Sequence, residues 1–194
     1  MTETIALFGT SADPPTVAHQ AIIQWLSAQF DRVLIWAVDN PFKTDQTPLV
    51  CRQEMLKILL VSHEPVLSNV LWMPDLSDRR SLKSVIQVEN RWPNAQLTLV
   101  VGADILDSLL DWYRIEELVQ RVNFLMLKRP DYEIEAAQLE DFRRLGGRID
   151  IAEFSGPRVS SSEFRQTHNP DLIPNSLFSY LQEHRLYQYQ GSHV

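Results

Sequence analysis

Between Gly9 and His19 the run GTSADPPTVAH gathers a glycine, the hydroxyls of Thr10, Ser11 and Thr16, and one imidazole. Thr16 and His19 are three apart, a spacing that puts both side chains on one face of a helix. At a helix's first turn, unpaired backbone N–H groups and the positive end of the dipole favour an anion, so these residue types suit phosphate binding. The plainer alternative is a capped helix start with an incidental histidine. Three short elements must position the group. Ile5 to Phe8 is an apolar run that suits a buried parallel strand. Gly9, Thr10 and Ser11 then predict a turn whose backbone approaches a ligand closely. Asp13, Pro14 and Pro15 stiffen the chain, because each proline fixes its own φ and biases the preceding residue away from helix, so helix resumes near Thr16.

At 194 residues the chain predicts one α/β domain over residues 1–190 and a frayed tail over 191–194. An apolar content of 44% excludes neither a large core nor a soluble fold, and no run is long enough to span a bilayer. The N-terminus lacks a basic segment followed by a long apolar one, so a cytoplasmic protein is expected. Cys51 stands alone, which excludes an internal disulfide or a thiolate cluster. With 25 acidic and 18 basic side chains, a net charge of −7 disfavours nucleic acid or anionic lipid as a partner. A phosphate-bearing substrate then requires a local cluster of basic groups.

Strand and helix patterns alternate along the chain. Strands are predicted over 32–38, 70–73, 96–101, 121–127 and 148–152. Helices are predicted over 17–30, 48–62, from the loop after Asp75 to about Trp92, around Leu106 to Leu110, over 133–145, and from about Ser176 to Arg185. Such alternation implies a doubly wound, Rossmann-like parallel sheet of five to six strands with a C-terminal helical segment. Its ligand crevice opens where strand order reverses, between the first and fourth strands. Gly9 follows the first, and Gly102, Ala103 and Asp104 follow the fourth. Lys43, after the second strand, is either solvated or neutralises phosphate; Lys128 and Arg129 close the fifth strand on the same edge. Ser160 and Glu163 read as a capping box, and Ser161, Ser162 and Arg165 make that second helix start a natural phosphate clamp. Arg79 and Arg80 lie before a helix, either exposed beside a capping serine or gripping a carboxylate or phosphate.

Several chemistries are missing from the sequence. It has no G-x-S-x-G elbow, no G-x-G-x-x-G fingerprint and no G-x-x-x-x-G-K-[ST] loop. Donors and positive charge around phosphates are what transfer of a phosphoryl-type group needs, since alignment and charge stabilisation carry that catalysis.

The stretch GTSADPPTVAH resembles the first signature of the nucleotidyltransferase superfamily, G-[GT]-[ST]-F-D-P-x-[HT]-x-G-H, and within it the nicotinate mononucleotide adenylyltransferases. Ala12 stands where an aromatic residue is usual, Thr16 replaces the commoner first histidine, and Ala18 replaces a glycine. DNPFKTD from Asp39 resembles the N-P-[HF]-K loop, and VSSSEFR from Val159 resembles I-S-S-T-x-I-R. Gly102 to Asp104 with Asp111, Trp112 and Tyr113 resembles G-x-D followed by tryptophan. In DLSDRRSLKS from Asp75, Ser81 and Ser84 match the threonines of S-Y-T-x-x-T-L, but Arg79 and Arg80 replace its serine and tyrosine.

The resemblance implies adenylyl transfer from ATP to nicotinate mononucleotide in NAD biosynthesis, with magnesium bound through the ATP phosphates. Phe8, Gly9, Thr10, Ser11, Thr16, His19, Gly102, Asp104, Ser160, Ser161 and Arg165 would bind ATP. Thr16, His19, Lys43 and Arg165 would act in the transfer step. Lys43, Arg80, Ser81, Trp112, Tyr113 and Arg129 would hold the mononucleotide. A homo-oligomer is left open. The competing readings are a relative acting on nicotinamide mononucleotide, phosphopantetheine or another phosphate acceptor, and a nucleotide-binding regulator without turnover.

Overall fold

A computed structural model describes residues 2–39, 45–128 and 136–188. Six parallel strands form one sheet: β1 (Thr4–Thr10), β2 (Arg32–Ala37), β3 (Val70–Trp72), β4 (Gln96–Gly102), β5 (Asn123–Leu127) and β6 (Ile149–Ile151), in the order β3-β2-β1-β4-β5-β6. The order reverses at β1 and β4, so their carboxyl ends frame the crevice expected of a doubly wound sheet.

Alternation along each strand supplies two cores. Ile5 and Leu7 of β1, with Leu34 and Trp36 of β2, face helices α3 (Ser81–Arg91), α4 (Leu106–Leu109) and α5 (Ile115–Arg121). Ala6 and Phe8, with Val33 and Ile35, face α1 (Val17–Gln29) and α2 (Leu49–Val61). Both faces being covered explains why the strands read as continuous apolar runs. Helix α6 (Ala136–Arg144) precedes β6. A third cluster packs Met55 of α2 against Phe164 of α7 (Ser161–Thr167) and Leu181 of α8 (Phe178–Glu183), which draws the C-terminal segment back over α2. Among the described residues no helix is long and apolar enough to cross a membrane.

Three local differences from the sequence expectations have physical causes. Gly9 and Thr10 belong to β1, paired with Trp36 and Ala37, rather than to a turn. A Cβ at Gly9 would lie 2.8 Å from the Trp36 ring and from Val38, so this glycine makes room for an indole on the next strand. The fifth strand starts at Asn123 because Ile115, Leu118 and Val119 bury one stripe of α5, which runs on to Arg121. Within the predicted C-terminal helix, Asn175–Leu177 is a 3-10 turn and α8 covers only Phe178–Glu183.

Gly9→Ala is expected to cost about 1–3 kcal/mol through overpacking against Trp36, read as a lower urea midpoint. Gly102→Ala should be milder, because its new methyl would meet only the movable carboxylate of Asp104.

Candidate active site

A cleft of about 2030 Å³ opens at the carboxyl edge of the sheet, over the crossover between β1 and β4. Pockets for one small ligand span about 300–1,000 Å³, so this one has room for two nucleotide-sized molecules.

One wall is the segment after β1. Phe8, Gly9, Thr10, Ser11 and His19 line it. The His19 ring is fixed at both nitrogens: Nδ1 accepts from the Thr16 backbone N–H at 3.1 Å, with the Thr16 hydroxyl 2.9 Å from the same atom, and Nε2 lies 3.1 Å from the Thr10 hydroxyl. A backbone N–H can only donate, so Nδ1 is the acceptor and the ring proton sits on Nε2, on the cleft side. That N–H lies against the Thr10 hydroxyl, so an anion would meet it together with, or in exchange for, that hydroxyl.

Thr16 stands just before α1 rather than on its first turn. It is fully buried, takes the extended backbone of an N-cap rather than a place on the helical face, and turns its hydroxyl inward to His19. Thr16 is a positioning residue for the imidazole.

The second wall is the start of α7. Ser160 caps it, accepting from the Glu163 N–H at 3.1 Å as the capping-box pattern predicts. The Ser161 hydroxyl donates to the Pro14 carbonyl at 2.8 Å, and the Arg165 guanidinium donates to the Asp13 carbonyl and, at 3.1 Å, to the Ser162 hydroxyl. Ser160, Ser161 and Arg165 all line the cleft, so residues nearly 150 positions apart in sequence share one rim.

Gly102 and Asp104 mark the exit of β4, the strand beside β1, and Arg80, Ser81, Trp112 and Tyr113 also line the cleft. Trp112 is half-buried on the core, Tyr113 is exposed, and the Arg80 guanidinium lies over the Tyr113 ring at 4.2 Å from its centroid. Arg79 is paired instead with Asp39 at 2.8 Å. Ser84, matched by motif to a threonine, is buried and donates to the Leu76 carbonyl at 2.6 Å, so it braces the loop before α3. Lys43 and Arg129 lie outside the described residues.

The sequence reading missed the group that holds the first wall in place. Arg52 of α2 is buried, and its guanidinium donates to the carbonyls of Ser11 at 2.9 Å, Val38 at 2.7 Å and Thr47 at 2.8 Å. Burial lowers its pKa, opposed by the charge of nearby Asp13 and Asp39. Asp13, also buried, accepts from the Thr47 N–H at 3.3 Å and from the Tyr187 hydroxyl at 2.5 Å, and burial together with that bond pushes the phenol's pKa up. The available signal was an arginine on an otherwise apolar stripe, between Leu49 and Met55.

Among the described residues no group of three His, Cys, Asp or Glu side chains converges as a metal site. The arrangement supplies donors for anions and flat rings for a base. With a cleft of two-ligand size, that is equipment for joining two phosphorylated molecules.

The cytidylyltransferase-like family model matches residues 7–167. A Synechocystis protein named "Probable nicotinate-nucleotide adenylyltransferase" is 42% identical over 197 residues, covering 95% of this chain and 98% of its own. The nicotinate-nucleotide adenylyltransferase of Bacillus subtilis is 28% identical, with coverage of 95% and 98%. Among solved structures, the Plasmodium falciparum nicotinic acid mononucleotide adenylyltransferase complexed with NaAD superposes with a TM-score of 0.81 at 18% identity, covering 97% of this chain and 98% of that one, which shows a shared fold.

Arg52→Met should destabilise the protein by about 3–5 kcal/mol in chemical denaturation, because the carbonyls of Ser11, Val38 and Thr47 lose a charged donor and the nearby Asp13 loses a compensating charge. Tyr187→Phe, which removes one hydroxyl and keeps the ring, should cost about 1–2 kcal/mol in the same measurement.

Proposed function

The chain belongs to the cytidylyltransferase-like family, and from that premise we propose how its cleft carries out nicotinate-nucleotide adenylyl transfer. The enzyme transfers the adenylyl group of ATP to nicotinate mononucleotide, giving nicotinate adenine dinucleotide and pyrophosphate, a step of NAD biosynthesis. The observation that carries this reading is the two-ended cleft. Anion donors stand at one end and an aromatic pair with a guanidinium at the other, on a chain 42% identical along nearly its whole length to a relative named for this reaction.

ATP enters as its magnesium salt, so the metal comes with the substrate. A 5′-phosphate oxygen of the mononucleotide attacks the α-phosphorus in line; the new P–O bond forms as the bond to the β-phosphate bridging oxygen breaks, and pyrophosphate leaves with the magnesium ion. No covalent enzyme intermediate is needed. His19, its proton on Nε2, donates to phosphate oxygens as negative charge builds during transfer. Thr10 and Ser11 flank that point, and Thr16 acts through the ring. Ser160, Ser161 and Arg165 face the leaving phosphates from the opposite rim, with Phe8, Gly9, Gly102 and Asp104 beneath the nucleoside. Trp112 and Tyr113 border the pyridine ring, with Arg80 and Ser81 beside it. Lys43 and Arg129 would add charge near the acceptor phosphate. ATP and mononucleotides are cytoplasmic pools, which supports a cytoplasmic location.

Purified protein with ATP, magnesium and each acceptor in turn should release pyrophosphate with nicotinate mononucleotide. Product with phosphopantetheine and none with nicotinate mononucleotide would overturn the assignment, and ATP binding without turnover on any acceptor would make the chain a regulator. His19→Ala should lower kcat by about two powers of ten or more while leaving the circular dichroism spectrum unchanged. Thr16→Val, which keeps the volume and deletes only the hydroxyl, should lower kcat by about tenfold through loss of ring alignment.

A further inference from the structure

We propose that Arg80 reads the carboxylate on the acceptor's pyridine ring and thereby sets the preference for the acid over the amide. The inference rests on the acceptor assignment above and concerns a position where this chain departs from the family pattern, since Arg79 and Arg80 stand in place of its serine and tyrosine.

Two cations stand side by side before α3, and their commitments differ. The Arg79 guanidinium donates from Nε to Asp39 at 2.8 Å, and that carboxylate raises its pKa, so its charge is already matched. Asp78 is shared between the Arg80 backbone N–H at 2.9 Å and the Lys83 ammonium at 3.4 Å. The Arg80 side chain has no carboxylate partner among the described residues; its guanidinium lies over the Tyr113 ring. A cation held over a ring by that contact keeps its N–H donors, and a guanidinium fork grips a carboxylate with two parallel hydrogen bonds.

The surroundings make a cation necessary at this end. Asp39, Asp78, Asp104 and Asp111 line the same cleft as Arg80, Trp112 and Tyr113, so an anionic ring substituent enters a cleft that also carries carboxylates. An amide in the same place carries no charge and gains little from the fork. Trp112, packed on the core, and Tyr113, beneath the guanidinium, line the same cleft and offer flat faces to the acceptor ring. Arg80 is thus a specificity-determining residue, and Tyr113 is its platform.

The test compares kcat/KM for nicotinate mononucleotide and nicotinamide mononucleotide in the wild-type protein, Arg80→Gln, Arg80→Lys and Tyr113→Leu. Loss of a charge-assisted, two-bond contact should lower kcat/KM for the acid by about 10- to 100-fold in Arg80→Gln and change the amide value less than about threefold. Arg80→Lys should retain part of the preference, and Tyr113→Leu should erode it in the same direction. An equal loss on both acceptors would place Arg80 on the shared 5′-phosphate and overturn the proposal, as would an unchanged ratio. Failure of the wild-type protein with both acceptors would instead overturn the acceptor assignment, so the two failures are distinguishable.

Discussion

The cleft depends on one buried guanidinium. Moving a charge out of water costs several kcal/mol, a penalty the fold recovers only where hydrogen bonds replace the lost hydration. Arg52 makes three such bonds to carbonyls in three separate segments: Ser11 after β1, Val38 after β2, and Thr47 before α2. Each accepting carbonyl lies where the chain has left regular structure and so has no ladder or helix partner of its own. The same side chain that needs solvation therefore supplies it to the loops, and those loops are held at fixed separations. Arginine suits the task because its five donors are rigidly arranged and it stays protonated.

Asp13 extends this constraint to the second wall. Its carboxylate holds Thr47 and Tyr187, and its carbonyl takes the Arg165 guanidinium. Tyr187 also packs edge-on against Phe164 of α7, with ring centroids 6.0 Å apart. The two rims of the anion end are thus cross-tied rather than merely adjacent, and the helix bearing Ser161 and Arg165 cannot shift without disturbing the loop that leads to His19. The loop itself is under backbone strain. Ala12, buried, sits at a φ of 45°, a left-handed conformation that costs a residue with a Cβ about 1–2 kcal/mol. Such a conformation persists only where neighbours over-determine it, as the bonds to Ser11 and Asp13 on either side do.

How much of this was readable in the sequence follows from the range of each interaction. The six strands and the crevice between β1 and β4 were legible because apolar runs and helix periodicity are local signals, and parallel topology leaves few arrangements. The Ser160 cap was legible for the same reason. The placement of Thr16 was less legible: helical spacing puts it on one face with His19, whereas it lies just before the helix with an extended backbone. The Asp13 to Tyr187 bond joins residues 174 apart, and no pattern in either neighbourhood announces it. At Gly9 the sequence marks a turn where the chain is still strand, and a reason for a glycine that no local pattern announces is the indole of Trp36 on the adjacent strand.

Charge explains why the two ends of the cleft behave differently. With a net charge of −7 the protein repels anionic substrates at long range, so attraction must come from groups within about one screening length, roughly 8–10 Å. At the anion end that attraction is supplied mainly by oriented N–H and O–H donors on cross-tied walls, which lose little on binding because they are already aligned. At the aromatic end carboxylates flank the cleft and two nearby cations, Arg79 and Lys83, are paired with Asp39 and Asp78. A negatively charged ring substituent is admitted there only to the extent that a remaining cation offsets those carboxylates. On the proposed reading, phosphate binding is built into the backbone framework, whereas discrimination between acceptors would rest on a few exposed side chains that can change without disturbing the fold.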